Sequence, residues 1–104
     1  MITKKGEVIA IENVSLSKSD SESISKKINL LMASTLAEVR QRGSLSSELK
    51  INANQINNLG KYLVSKKKGD FQIIARALED SQSAEKVSVS LELKSLEKSI
   101  SNKS

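Results

Sequence analysis

The chain of 104 residues contains no cysteine, histidine, proline or tryptophan, and its only aromatic residues are Tyr62 and Phe71. Without cysteine, disulfides, thiolate chemistry and cysteine-based metal sites are excluded. Without histidine, the commonest metal ligand and the commonest general base are missing. Because only two rings are present, binding of single-stranded nucleic acid by base stacking is disfavoured. We therefore expect no metal site, no cofactor and no enzymatic activity.

Long apolar runs are also missing, since no stretch approaches 18 residues. The short run from Val8 to Ile11 is too brief for a signal peptide. No glycine-rich phosphate loop is present, and Asp70, Glu79 and Asp80 are better explained as helix caps and solvated positions than as an acid/base pair. The sequence predicts a cytoplasmic protein that contacts no membrane and acts on no small-molecule substrate.

Positive charge is concentrated in the middle of the chain. The net charge is +5, and residues 40–76 hold eight basic residues against two acidic ones, which leaves about −1 for the remainder. A local positive field of this kind is typical of a surface that binds phosphate groups. We therefore expect nucleic acid as the partner, and the alternative is that the lysines serve solubility.

Apolar residues between positions 45 and 59 follow a broken helical period. Leu45 and Leu49 lie one turn apart, Ile51 interrupts the period, and the residues at 56 and 59 resume it. Asn52 is a good N-cap for a second helix. The pattern indicates two short helices packed at a steep angle, with a bend near Lys50.

These positions resemble the helix-turn-helix of the Cro/repressor-like DNA-binding family. Ser46 stands where that family has a small residue, whereas Lys50 replaces the usual glycine of the turn. Phe71 to Leu78 resembles the family's following core helix. The resemblance implies a mainly α fold, and it implies a sequence-specific transcriptional regulator of phage or plasmid type that binds double-stranded DNA.

A long amphipathic helix is predicted from Asp20 to Arg42, because apolar residues recur there every three or four positions. The sequence also fits two short β-strands, near residues 7–16 and 86–93. The predicted organisation is an N-terminal strand or flexible arm at 1–19, a helix-turn-helix domain at 20–80 and an oligomerisation segment at 81–104.

Amide side chains crowd the second helix of the motif, although asparagine is unfavourable inside helices. Amides are well shaped to hydrogen-bond adenine in the major groove, and the alternative is a capping segment without a partner. The predicted base contacts are Asn54, Gln55, Asn57 and Asn58. The predicted phosphate contacts are Arg42, Lys50, Asn52, Lys61, Lys66, Lys67 and Lys68.

The C-terminal segment fits two templates. Val87 to Leu93 alternates as a strand does, and an amphipathic helix accounts equally well for a second set of positions. That set is the predicted oligomerisation stripe, which would form a dimer or a higher oligomer: Val89, Leu93, Leu96 and Ile100.

Two other functions stay open. Ala53 to Leu63 is similar to the Asn/Gln-rich helix of relaxosome accessory proteins, which implies a role in plasmid mobilisation. Composition alone also fits a rod-type subunit of an export apparatus, with Phe71 to Ile100 as its polymerising part. Salt-dependent DNA binding separates the first from the second.

Overall fold

A computed structural model describes residues 1–16, 21–66 and 69–96 of the chain. The elements follow in the order β1 (Val8–Ser15), α1 (Ser21–Gln41), β2 (Leu49–Ile51), α2 (Ala53–Ser65), β3 (Asp70–Ala77) and β4 (Val87–Ser95). The mainly α prediction is wrong, because the described residues form an α+β fold with two helices and a four-stranded mixed sheet.

The sheet has the strand order β1-β3-β4-β2. β3 pairs antiparallel with β1 and β4, whereas the three-residue β2 pairs parallel with the start of β4, Leu49 opposite Val87 and Ile51 opposite Val89. The sheet therefore combines strands from all three predicted segments, 1–19, 20–80 and 81–104.

The core lies between the sheet and the two helices. α1 packs on β1 and β3, α2 packs on β4, and the helices also touch each other. Leu31 of α1, Leu63 of α2 and Ile73 of β3 are fully buried in this one core. The predicted helix at 20–42 is confirmed as α1, and Gly43 follows it with a φ of +109°, the left-handed conformation that suits glycine. The strand predicted near residues 7–16 is confirmed as β1.

The first helix of the predicted helix-turn-helix is not formed. Leu45, which should be buried, is 78% exposed, and its backbone N–H donates to the carbonyl of Ser83. Leu49 and Ile51 alternate with Lys50 along β2 instead of stacking on a helix. In a helix the backbone groups of these residues would bond to the next turn. Here they pair with β4 in parallel instead.

The core helix that the resemblance implies from Phe71 to Leu78 is not formed, and β3 and the bend after it occupy these positions. Phe71, Ile73 and Ala75 are buried while the residues between them are half-exposed, which is the two-residue period of a strand. Leu78, which ends that implied core helix, is 51% exposed. Strand pairs on both sides of β3 outweigh the local helical spacing.

For the C-terminal segment, the strand alternative is confirmed as β4 and the helix alternative is wrong over the described residues. Val89, predicted to oligomerise, is 1% exposed inside the monomer core. Leu93 is half-buried and Leu96 is 36% exposed, whereas Ile100 lies outside the described residues.

Candidate nucleic-acid interface

The amide-rich segment is helical as predicted, and Asn52 fixes where it begins. Asn52 adopts an extended backbone with φ −76° and ψ 119°, and its Oδ1 accepts a 2.8 Å hydrogen bond from the N–H of Asn54. This is the geometry of a helix N-cap. The side-chain oxygen of Asn52 is therefore occupied by the cap, and only its amide nitrogen remains to donate in the phosphate contact predicted for Asn52.

The exposed side of α2 carries three asparagines and one lysine. Asn54, Asn57, Asn58 and Lys61 are all exposed, and their spacing of three, four and seven residues places them on one side of the helix. We call these four residues the amide face. Leu59 and Leu63 are buried against the core and hold the helix in this orientation. The amide face is thus presented to solvent by a helix that packs firmly on its other side.

Gln55 has a different position from the other amides. It is half-buried, and its Oε1 accepts a 3.0 Å hydrogen bond from the backbone N–H of Leu91. β2 ends at Ile51, opposite Val89, so none of the described strands pairs with the outer edge of β4 at Leu91. The amide oxygen of Gln55 supplies one, and the base contact predicted for Gln55 would require it to leave Leu91 unpaired.

Acidic residues are missing from the whole stretch around α2. Residues 49–69 include five lysines and no aspartate or glutamate. Lys61 lies on the amide face, and Nζ of Lys66 sits 4.9 Å from the centroid of the Tyr62 ring at the end of the helix. Lys67 and Lys68 lie outside the described residues. The described part of this stretch therefore has three lysines and no acidic residue of its own.

Lys50 is less suited to bind phosphate than the sequence indicated. It is exposed on β2, but it lines a surface groove whose other charged residues are Glu79, Asp80, Glu85 and Lys86. Three carboxylates against two lysines in the same groove oppose the approach of a phosphate group. Lys61 and Lys66 are therefore the described lysines whose surroundings best suit a polyanion.

Arg42 is bound within the protein rather than directed at a ligand. Its Nε donates to Glu38 at 2.9 Å, and one terminal nitrogen donates to Glu7 at 2.7 Å and to the carbonyl of Ile2 at 3.2 Å. The hydrogen bonds to Glu38 and then to Glu7 raise the pKa of Arg42. With two carboxylates already paired to it, Arg42 is unsuited to the phosphate contact predicted for it.

The same network acts on Glu7. The backbone N–H of Lys4 donates to Glu7 at 3.1 Å, and this bond is the main reason why the pKa of the Glu7 carboxyl is lowered. Burial opposes it, and the hydrogen bond and charge of Arg42 add to the lowering. Glu7, Glu38 and Arg42 together tie the start of the chain to the end of α1.

Neither a metal-binding cluster nor a membrane-spanning helix is found among the described residues. Within the ranges that the structure describes, no group of three or more acidic side chains is arranged to hold a metal ion. In those same ranges, no helix is both long and apolar enough to cross a membrane.

Comparison with known proteins identifies one family. A family model described as a DUF3084-associated C-terminal helical hairpin matches residues 3–100. No curated protein and no solved structure matches the chain. The resemblance to the Cro/repressor-like family is wrong, because the match is to this other family and the first helix of the motif is replaced by β2. The helices α1 and α2 pack against each other, but they are joined through β2 and lie on a sheet.

Proposed function

The chain belongs to the DUF3084-associated C-terminal helical hairpin family, and we propose that it binds double-stranded DNA through the amide face of α2. The observation that carries this proposal is the exposure of three asparagines and Lys61 on one side of a helix whose other side is anchored in the core. An α-helix fits the major groove of B-form DNA, and asparagine can pair with the N6 and N7 atoms of adenine.

Charge supports the proposal as well. The stretch from 49 to 69 holds five lysines and no acidic residue, so phosphate groups flanking an inserted α2 would meet no like charge there. Lys61 and Lys66 are the proposed phosphate contacts among the described residues. They would set the orientation of α2, and the asparagines would read the bases.

The transcriptional role of phage or plasmid type came from the helix-turn-helix resemblance, so DNA binding is proposed without it. Assembly of relaxosomes stays a prediction, since it depends on the amide-rich helix and not on the motif. Binding as a dimer or higher oligomer is proposed through Leu93 and Leu96, because Val89 is buried in the monomer. Size-exclusion chromatography with light scattering at several concentrations tests that part.

Fluorescence anisotropy with a random-sequence labelled duplex tests DNA binding. We expect affinity to fall steeply between about 50 mM and 200 mM salt. Lys61→Gln should weaken binding to all sequences and reduce the slope of log affinity against log salt by about 1. Lys26→Gln, which changes an exposed lysine of α1, is the matched control and should have little effect.

Selection of bound sequences tests base recognition separately. Asn54→Ala and Asn57→Ala should each relax the sequence preference and remove about 1–3 kcal/mol of binding free energy at a good contact. Asn29→Ala, at an exposed asparagine of α1, is the control. Wild-type protein that shows no salt-dependent binding to duplex DNA would rule out the proposal and favour a structural subunit.

A further inference from the structure

An apolar groove runs between the two helices, beside the amide face. Ile24 and Ile28 of α1 form one wall, and Ile56 and Val64 of α2 form the other. Its volume is about 430 Å³, which is within the range of small-molecule sites. The two residues of the α2 wall are eight positions apart, so the groove extends over about 12 Å.

Gly60 also lines this groove. Glycine is the least favourable residue for a helix interior after proline. Close packing does not require it, because a Cβ at Gly60 would meet one described atom within 4 Å, Cδ1 of Ile28 at 4.0 Å. A larger side chain would instead fill the groove. The groove is therefore open at Gly60 because this residue has no side chain, and packing of the helices does not require a glycine there.

The charge at the rim identifies the occupant. Within residues 1–16, 21–66 and 69–96, Lys61 is the charged residue that lines the groove, and the remaining polar lining is Ser25, Asn57 and Ser65. An apolar groove with a lysine at its edge complements a molecule that has an apolar chain and an anionic head.

We propose that the α1–α2 groove binds a medium-chain acyl carboxylate, with its chain along Ile28, Ile56 and Gly60 and its carboxylate on Lys61. The apolar part of the groove does not overlap the amide face, whereas Asn57 and Lys61 belong to both the groove and the amide face. Binding is therefore measured without DNA, and its outcome does not depend on whether the protein binds DNA.

Titration of the full ¹⁵N-labelled chain with decanoate, below its micelle concentration, tests the proposal. We expect saturable shifts of the amide signals of Ile28, Ile56, Gly60 and Val64, with weaker binding of decanol and the weakest of decyltrimethylammonium. Equal affinity for the cationic amphiphile, shifts centred elsewhere, or no saturation would overturn it.

Two variants separate head from chain. Lys61→Gln should weaken decanoate binding by up to about fivefold, the upper end for one exposed ion pair, and leave decanol unchanged. Lys26→Gln should change neither. Gly60→Ala should raise the melting temperature and weaken both ligands, which shows loss of space in a folded protein. Unchanged affinity in both Lys61→Gln and Gly60→Ala would contradict the proposed site.

Discussion

At the scale of single residues, Gln55 links α2 to the sheet through one hydrogen bond. Its Oε1 is the acceptor for the Leu91 N–H at a point where β4 has lost its neighbouring strand. A partly buried backbone donor that loses its partner costs about 1–3 kcal/mol. Gln55→Ala should therefore lower the free energy of unfolding by about that amount in urea denaturation. Asn57→Ala, on the exposed side of the same helix, is the control, and a Gln55→Ala protein as stable as this control would contradict the role.

Glu7 gives the second prediction at this scale. Its pKa is lowered in the folded protein by the Lys4 N–H and by Arg42, so the ionised form stabilises the fold. That contribution is present above the ordinary pKa of 4.5 and disappears as the pH falls through the lower folded value. The effect is modest because the Arg42 and Glu7 side chains are 28% and 36% exposed.

The measurement for Glu7 is urea unfolding of the wild type and Glu7→Gln from pH 7 downward. Wild type should be the more stable protein at neutral pH, and the difference should shrink steadily below pH 4.5. A difference that stays constant through the acid range would show that Glu7 acts through something other than its charge.

At the scale of elements, the helices could be predicted from the sequence and two of the strands could not. α1 has a sustained helical period with Gly43 behind it, and α2 has Asn52 at its start, so both signals are local. β2 and β3 depend on partners far along the chain. Ile73 and Ile74 look like neighbours on a helix until pairing with β1 and β4 places them on opposite faces of a sheet.

In the candidate site too, features set by local sequence could be predicted and contacts between distant residues could not. The exposure of Asn54, Asn57 and Lys61 follows from helical spacing and could be predicted. The pairing of Arg42 with Glu7 and of Gln55 with Leu91 could not, because these contacts join residues 35 and 36 positions apart. The groove around Gly60 also depends on how α1 meets α2, which no local pattern specifies.

The cap of α2 is testable as an element property. Asn52→Ala removes the acceptor for the Asn54 N–H, so the free energy of unfolding should fall by about 1 kcal/mol. Asn52→Asp keeps the acceptor and should restore most of that loss. Thermal unfolding followed by circular dichroism measures both variants. If Asn52→Asp is as unstable as Asn52→Ala, the side-chain acceptor is not what stabilises the start of α2.

At the scale of the whole molecule, one core supports two exposed surfaces on the same helix pair. Leu59 and Leu63 anchor α2, its amide face points to solvent, and its third side meets α1 across the apolar groove. Because the anchor and the proposed contacts belong to different sides of α2, substitutions on the amide face should alter binding with little effect on folding. This separation makes the proposed function accessible to a direct test.

That test is an NMR titration of the ¹⁵N-labelled protein with a random-sequence duplex at low salt. The account predicts shifts concentrated at Asn54, Asn57, Asn58 and Lys61, which fade as salt is added. Shifts that map instead to β1 and the outer side of α1, or a spectrum that the duplex leaves unchanged, would contradict it.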